Sequence, residues 1–293
     1  MSQKSSEALS LRRSELGAFL RARRAQVTPG QVGLPLDGGA RRSPGLRREE
    51  IALLAGIGVS WYTWIEQGRA TNVSGEVLDA IADVLQLNDA QRRYLRRLGE
   101  ADLDRPDPVQ HPRIDALQPY VENWAPNPAY IVDRCWNVVC ANLPARLLLG
   151  AEGADHNVLR DFFTNPSVRE RHPRWEEEAP GLVARFRAQA ADHIADPGLL
   201  AMVDGLRRGS SEFARLWDRH EIEEDSCGTS VVAHPRIGEL TFNWTMLDFT
   251  SRLSLRIKLF LPMAGTGAEA KLLNLADLLR GQPRMSLAPS SAA

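Results

Sequence analysis

The 293-residue sequence predicts an α plus α/β multidomain protein: an all-α domain of five helices, then an α+β domain built on a five-stranded antiparallel sheet. Three observations point there. Up to about residue 100, apolar side chains recur at helical spacing in five separate stretches. Residues 101–118 then carry Pro106, Pro108 and Pro112 among several acids, and proline removes backbone donors and holds a chain extended. Beyond them come two strand-like runs, a helical stretch and three further strand-like runs. The expected boundaries are 1–11 as a disordered N-terminus, 12–100 as the helical domain and 101–113 as a linker. Residues 114–263 form the α+β domain, and 264–293 a C-terminal helix and tail.

Composition sets the limits. Apolar content of 43% and charged content of 25% are globular values, and the length suits one small and one ordinary domain. A net charge of −1 excludes a uniformly basic surface, but residues 1–105 hold 16 Lys+Arg against 13 Asp+Glu, and the remainder 20 against 24. A mildly basic front and an acidic back fit a nucleic-acid-binding module joined to something that avoids nucleic acid. Cys135, Cys140 and Cys227 form no CxxC and no paired framework, which predicts a reduced, cytoplasmic setting. There is no run of ~18 apolar residues and no apolar signal core, so no membrane association is expected.

Within the first domain, residues 14–26 place Leu16, Phe19, Leu20 and Arg23 along a helix, with Ser14 as a candidate N-cap. Residues 26–46 are a long Gly/Pro-rich connection. Residues 47–68, RREEIALLAGIGVSWYTWIEQG, have Ile51, Leu54 and Ala55 at amphipathic spacing, a break from Gly56 to Gly58, resumed helical spacing, and Gly68 at the C-cap position. Helix, glycine turn and short helix make a helix-turn-helix, whose second helix enters a major groove. Residues 74–85 and 88–99 supply two further amphipathic helices, the latter capped at Asn88.

The segments RRSPGLRREEIALLAG and VSWYTWIEQGR, with a VGLP segment upstream, resemble the N-terminal domain of phage-repressor-type (XRE) regulators, in which this domain precedes an MmyB-like ligand-binding domain. The partner expected for this domain is double-stranded operator DNA. Arg41, Arg42, Arg47 and Arg48 concentrate positive charge before the second helix and are candidates for phosphate contact, as is Arg69 beyond the recognition helix. Val59, Ser60, Thr63 and Trp64 are the candidates for base contact: hydroxyls bond several base edges and apolar atoms meet a thymine methyl. The motif class implies a homodimer.

In the second domain, strands are expected at 129–133, 138–142, 229–233, 239–248 and 252–261. Helices are expected at 143–149, 158–163, 175–194, 198–207 and 211–220, packed on one sheet face. That order resembles a PAS-like domain. NPAYIVDRCWNVVCAN, SSEFARLWDRHEI and GTSVVAHPRIGELTFNW further resemble the MmyB-like domain, with Val231 and Val232 standing where that family commonly has basic residues. The resemblance implies an apolar small-molecule pocket with a fatty-acid-like ligand. Phe162, Phe163, Trp175, Phe186, Met202, Phe213 and Trp217 are candidate walls or core, and Arg134, Asn142 and His220 a candidate polar end. The alternative is a filled core and a C-terminal domain that binds a partner protein. Residues 268–279 form an amphipathic helix that covers the sheet or joins a dimer partner.

Chemistry is sparse. None of the six histidines pairs with another His or Cys at metal-ligand spacing, so no metal is expected. There is no GxSxG, P-loop or strand-borne GxGxxG. Asp218, Arg219 and His220 with Glu221, Glu223 and Glu224 read as a helix end and a solvated loop. Neither an enzyme nor a cofactor is expected.

Overall fold

The computed structural model describes residues 3–35, 45–99, 114–150, 156–224, 226–249 and 255–280. The expected linker at 101–113 and tail at 281–293 lie outside the described residues. Five helices open the chain: α1 (Gln3–Gln26), α2 (Arg48–Leu54), α3 (Val59–Glu66), α4 (Gly75–Val84) and α5 (Asp89–Gly99). Helix α1 starts well before Ser14, which corrects the expected disordered N-terminus and the expected cap. Ala8, Leu9 and Leu11 are half-buried, so the apolar stripe already repays helix formation there, and Ser14 is an exposed mid-helix residue. At α5 the cap is reciprocal: Asn88 Oδ1 accepts the Gln91 N–H (2.9 Å) and Gln91 Oε1 accepts the Asn88 N–H (3.1 Å). Between α2 and α3, Gly56 takes φ 66°, a left-handed value that glycine adopts without steric cost.

The chain continues through α6 (Ile114–Glu122), β1 (Ala129–Val132), β2 (Val138–Ala141), α7 (Leu143–Leu149), α8 (Val158–Thr164) and α9 (Pro166–Glu170). Then follow α10 (Trp175–Ala190), α11 (Pro197–Gly209), α12 (Ser211–Trp217), β3 (Cys227–His234), β4 (Gly238–Asp248), β5 (Arg256–Pro262) and α13 (Ala268–Arg280). The five strands form one antiparallel, PAS-like sheet in the order β2-β1-β5-β4-β3. Along β4, Leu240, Phe242 and Trp244 alternate inward, as a half-buried strand requires. Strand β1 is buried at all four residues, so the sheet is covered on both faces there, not one. On one of those faces Ala129, Ile131 and Cys140 pack against Leu117 and Val121 of α6. Burial and the nearby Glu122 carboxylate push the Cys140 thiol up to about 11.

The chain folds into two compact units: Met1–Val109 with Glu176–Asp225, and Gln110–Trp175 with Ser226–Ala293. The segment Glu176–Asp225, read from sequence as part of the second domain, thus packs with the N-terminal helices. Its Ala188, Ala191 and Ile222 belong to the same apolar cluster as Leu16, Phe19, Leu20, Tyr94 and Leu98.

Candidate DNA-reading surface and the joint behind it

Helix α3 is amphipathic in a simple way. Tyr62 and Ile65 are buried at 0% and 1% exposure, whereas Val59 and Trp64 are 46% and 51% exposed. Ser60 is exposed and Thr63 half-exposed on the same side. Four of the expected base-reading residues therefore share one open face. The Thr63 hydroxyl donates to the Val59 carbonyl one turn back (2.8 Å), and the Trp61 and Trp64 rings meet edge to face at 6.3 Å. Arg47 at the N-cap of α2 and Arg69 past α3 are both exposed. Arg41 and Arg42 lie outside the described residues.

Arg48 is placed differently from the phosphate role expected of it. Its Nε and Nη2 both donate to Glu66 Oε1, at 3.0 and 2.8 Å. Arg24 donates to both oxygens of the same carboxylate, at 2.8 and 3.2 Å, and to the Leu46 carbonyl. The Glu66 side chain is fully buried. Burial opposes its charge, but the bonds from Arg24 and Arg48 outweigh burial and hold the carboxyl below its ordinary value. Glu66 thereby ties α1, α2 and the end of α3 together. A carboxylate on the inward Tyr62–Ile65 stripe, with arginines upstream, was the sequence signal for it. Glycine completes the fit: a Cβ on Gly17 would stand 2.3 Å from the Glu66 carbonyl oxygen, so α1 meets α3 backbone to backbone.

A second buried polar cluster lies in the same unit, remote in sequence. Glu15 of α1 accepts from Arg187 of α10 and from the Tyr94 hydroxyl (2.8 Å), and lies 3.1 Å from His220 Nδ1. Arg187 is 1% exposed, stacks 3.8 Å from the Trp217 ring centre and donates to the Trp217 carbonyl. Burial again opposes the Glu15 charge; His220 and Arg187 overcome it and lower the carboxyl. Arg23 is 4% exposed and caps the chain after α12, donating to the Arg219 and His220 carbonyls, both at 3.0 Å. Arg93 and Arg97 of α5 both pair with Glu224. The acids expected in a solvated loop are thus partners of the N-terminal helices.

The expected ligand wall divides between the units. Phe186, Phe213 and Trp217 pack on one another in the N-terminal unit, with ring centres 5.6–6.0 Å from Trp217, and half-buried Met202 and His220 belong there too. Phe162, Phe163 and Trp175 form a separate stack in the sheet-containing unit, Phe162 lying parallel to Trp175 at 5.5 Å. Arg134, half-buried, is in that unit as well. Asn142 is fully buried and has no capacity for a ligand. Its Oδ1 accepts from Ala129 and Ala145 N–H, and its Nδ2 donates to the Val121 and Asn127 carbonyls. It is the N-cap of α7, a role its position before LPARLLL allowed.

One face of the sheet carries a set that sequence reasoning did not single out. The register places Tyr130 beside Lys258 and Trp244 beside Phe260, with Phe242 next along β4. Lys258 Nζ sits 4.4 Å from the Trp244 ring centre and 5.1 Å from that of Phe260. An ammonium on an aromatic floor is a suitable end for an amphipathic anion. Among the described residues there is no group of three His, Cys, Asp or Glu placed to hold a metal, and no helix long and apolar enough to cross a membrane.

A helix-turn-helix with an open recognition face, in one chain with a PAS-like sheet, defines a DNA-binding regulator that carries a second, non-DNA domain. Comparison with known families agrees. Residues 15–95 match a helix-turn-helix domain, and residues 114–276 match the MmyB-like transcription regulator ligand binding domain. The second match spans more than half of the chain, and the chain belongs to that family: it is a DNA-binding transcription regulator with a ligand-binding domain. Both matched families are regulatory rather than enzymatic. No curated protein matches the chain.

Proposed function

We propose that the protein binds operator DNA in a sequence-specific manner as a homodimer and that a fatty-acid-like small molecule controls this binding. The observation that carries the DNA half is the open face of α3, with Val59, Ser60, Thr63 and Trp64 clear of packing and Arg47 and Arg69 exposed beside it. Two copies would present their recognition helices about 34–36 Å apart, matching a two-fold site. The aromatic sheet face with Lys258 supports an apolar ligand with an anionic head. A physical route between the two events is available: Glu176–Asp225 lies inside the ligand-binding match but packs with the helix-turn-helix. A ligand that stabilises one placement of α10 to α12 shifts the DNA-competent population, provided its affinity for the two states differs.

Fluorescence anisotropy on duplexes from the protein's own upstream region, against scrambled duplexes at two salt concentrations, tests the DNA reading. Replacing Ser60 and Thr63 with Ala should weaken specific binding by roughly 1–3 kcal/mol for each base edge that is no longer read. Arg47→Ala should weaken specific and scrambled binding alike and flatten the salt slope. Unchanged operator affinity in the double variant would remove the base-reading role. Native mass spectrometry tests the ligand: extra mass released on denaturation, and reduced in Lys258→Met, supports the pocket. The mutual stacking of Phe162, Phe163 and Trp175 favours the other reading at that end, a filled core whose outer surface meets a protein.

A further inference from the structure

The reading face of α3 has an unusual chemistry for a DNA reader. Its eight residues include no Arg, Lys, Asn or Gln, the side chains that make bidentate contacts to guanine or adenine. The nearby guanidinium groups of Arg24 and Arg48 are bound to Glu66. Gln67 caps the far end of the helix, whereas the N-terminal residues of a recognition helix are the ones that reach base edges. Of the two hydroxyls on the face, that of Thr63 gives its hydrogen to the Val59 carbonyl. What the face offers is methyl and ring carbon: Val59 and Trp64, extended at the end of α2 by Leu53 and Leu54, which are 74% and 38% exposed. Apolar groups left together in water mark an interaction surface. The major groove presents one apolar base-edge group, the C5-methyl of thymine.

We propose that α3 recognises its half-site chiefly through thymine methyl groups, with Val59, the Thr63 γ-methyl and Trp64 as the specificity-determining side chains. This rests on α3 being the DNA-reading helix. The exposed guanidinium groups of Arg47 and Arg69 supply the sequence-independent attraction, and the methyl groups supply the choice of sequence. Half-sites should therefore contain thymines at the positions nearest the helix N-terminus, on either strand.

The test begins with the full-length protein selecting preferred duplexes from a random pool. Each thymine of the selected site is then replaced by deoxyuridine, which differs only in lacking the methyl. Two or three replacements per half-site should each weaken binding about fourfold, the factor expected for one buried methyl. At one such position Val59→Ala, and at another Thr63→Ser, should already show that weakening, so that uracil costs nothing further. Both substitutions are at solvent-facing positions of α3, so folding is not at issue. A selected site whose affinity is unchanged by uracil at every thymine overturns the proposal while leaving the DNA-reading role intact. A pool that yields no preferred sequence overturns both, and assigns the apolar face to a protein partner.

Discussion

Glu66 is one negative charge shared by three helices, and its energetics follow from its burial. An unpaired carboxylate there would be expelled; with Arg24 and Arg48 in hydrogen-bond contact it stays ionised. Glu66→Gln strands the two guanidinium groups. It should cost roughly 3 kcal/mol at neutral pH, the lower end for breaking a buried pair, because Arg48 keeps 40% exposure and some water. The sign with pH follows from the lowered carboxyl. Its folded value lies below the ordinary 4.5, so the stabilisation is complete above that value and is lost as pH falls through the lowered one. Urea unfolding of wild type and variant should show a gap near pH 7 that narrows below pH 4.5. A gap that is constant across this range would mean that Glu66 is not the charged partner described.

Between elements, the closest approach is α1 against the end of α3 at Gly17. Gly17→Ala would press a methyl into the Glu66 carbonyl, and the helices must separate. Stability should fall by roughly 1–3 kcal/mol, as it does where other packed cores are overfilled. Since α3 carries the reading face, operator affinity should fall even at temperatures where the variant is fully folded. Circular dichroism together with anisotropy would separate the two effects. The joint of α10 with α1 gives a different signature. Arg187→Met alone leaves Glu15 without its buried cation and should cost roughly 3–5 kcal/mol. Adding Glu15→Leu should return much of that stability, because the stranded charge goes with it. A double-mutant cycle in urea should therefore show coupling of about 1–3 kcal/mol, and additive effects would refute a direct Glu15–Arg187 interaction.

At the scale of the molecule, the helix-turn-helix does not stand alone. Ala188, Ala191 and Ile222 complete its apolar cluster, and Arg23, Arg93 and Arg97 all find partners in Glu176–Asp225. A chain ending after Gly99 exposes that surface and leaves these arginines in water. It should unfold at lower urea concentration than the helix-turn-helix within the full chain, and hydrogen exchange should show the weakened protection concentrated in α1 and α5 rather than in α3. Equal protection in the two would show that Glu176–Asp225 adds nothing to the stability of the N-terminal helices. For a regulator this arrangement means that any event displacing α10 to α12 is felt by α1, and through Gly17 and Glu66 by α3.

Local pattern alone determined much of this protein. The glycine turn before α3, the Asn88 cap, the bounds of α7 and the positions of all five strands follow from side chains within a few residues of one another, because helix and strand periods and caps are short-range properties. The open side of α3 was legible for the same reason: one period of 3.6 sorts Val59, Ser60, Thr63 and Trp64 from Tyr62 and Ile65. Tertiary structure decided which charges are bound and which remain exposed. Arg47 and Arg48 are neighbours of one type, but only Arg48 meets a buried carboxylate 18 residues away. Arg187 meets Glu15 across 172 residues. Phe186 and Phe162 have the same aromatic character but belong to different cores, because the segment between β2 and β3 divides where α10 begins. Burial and ion pairing are set by what the fold brings from far along the chain, and no local period encodes that.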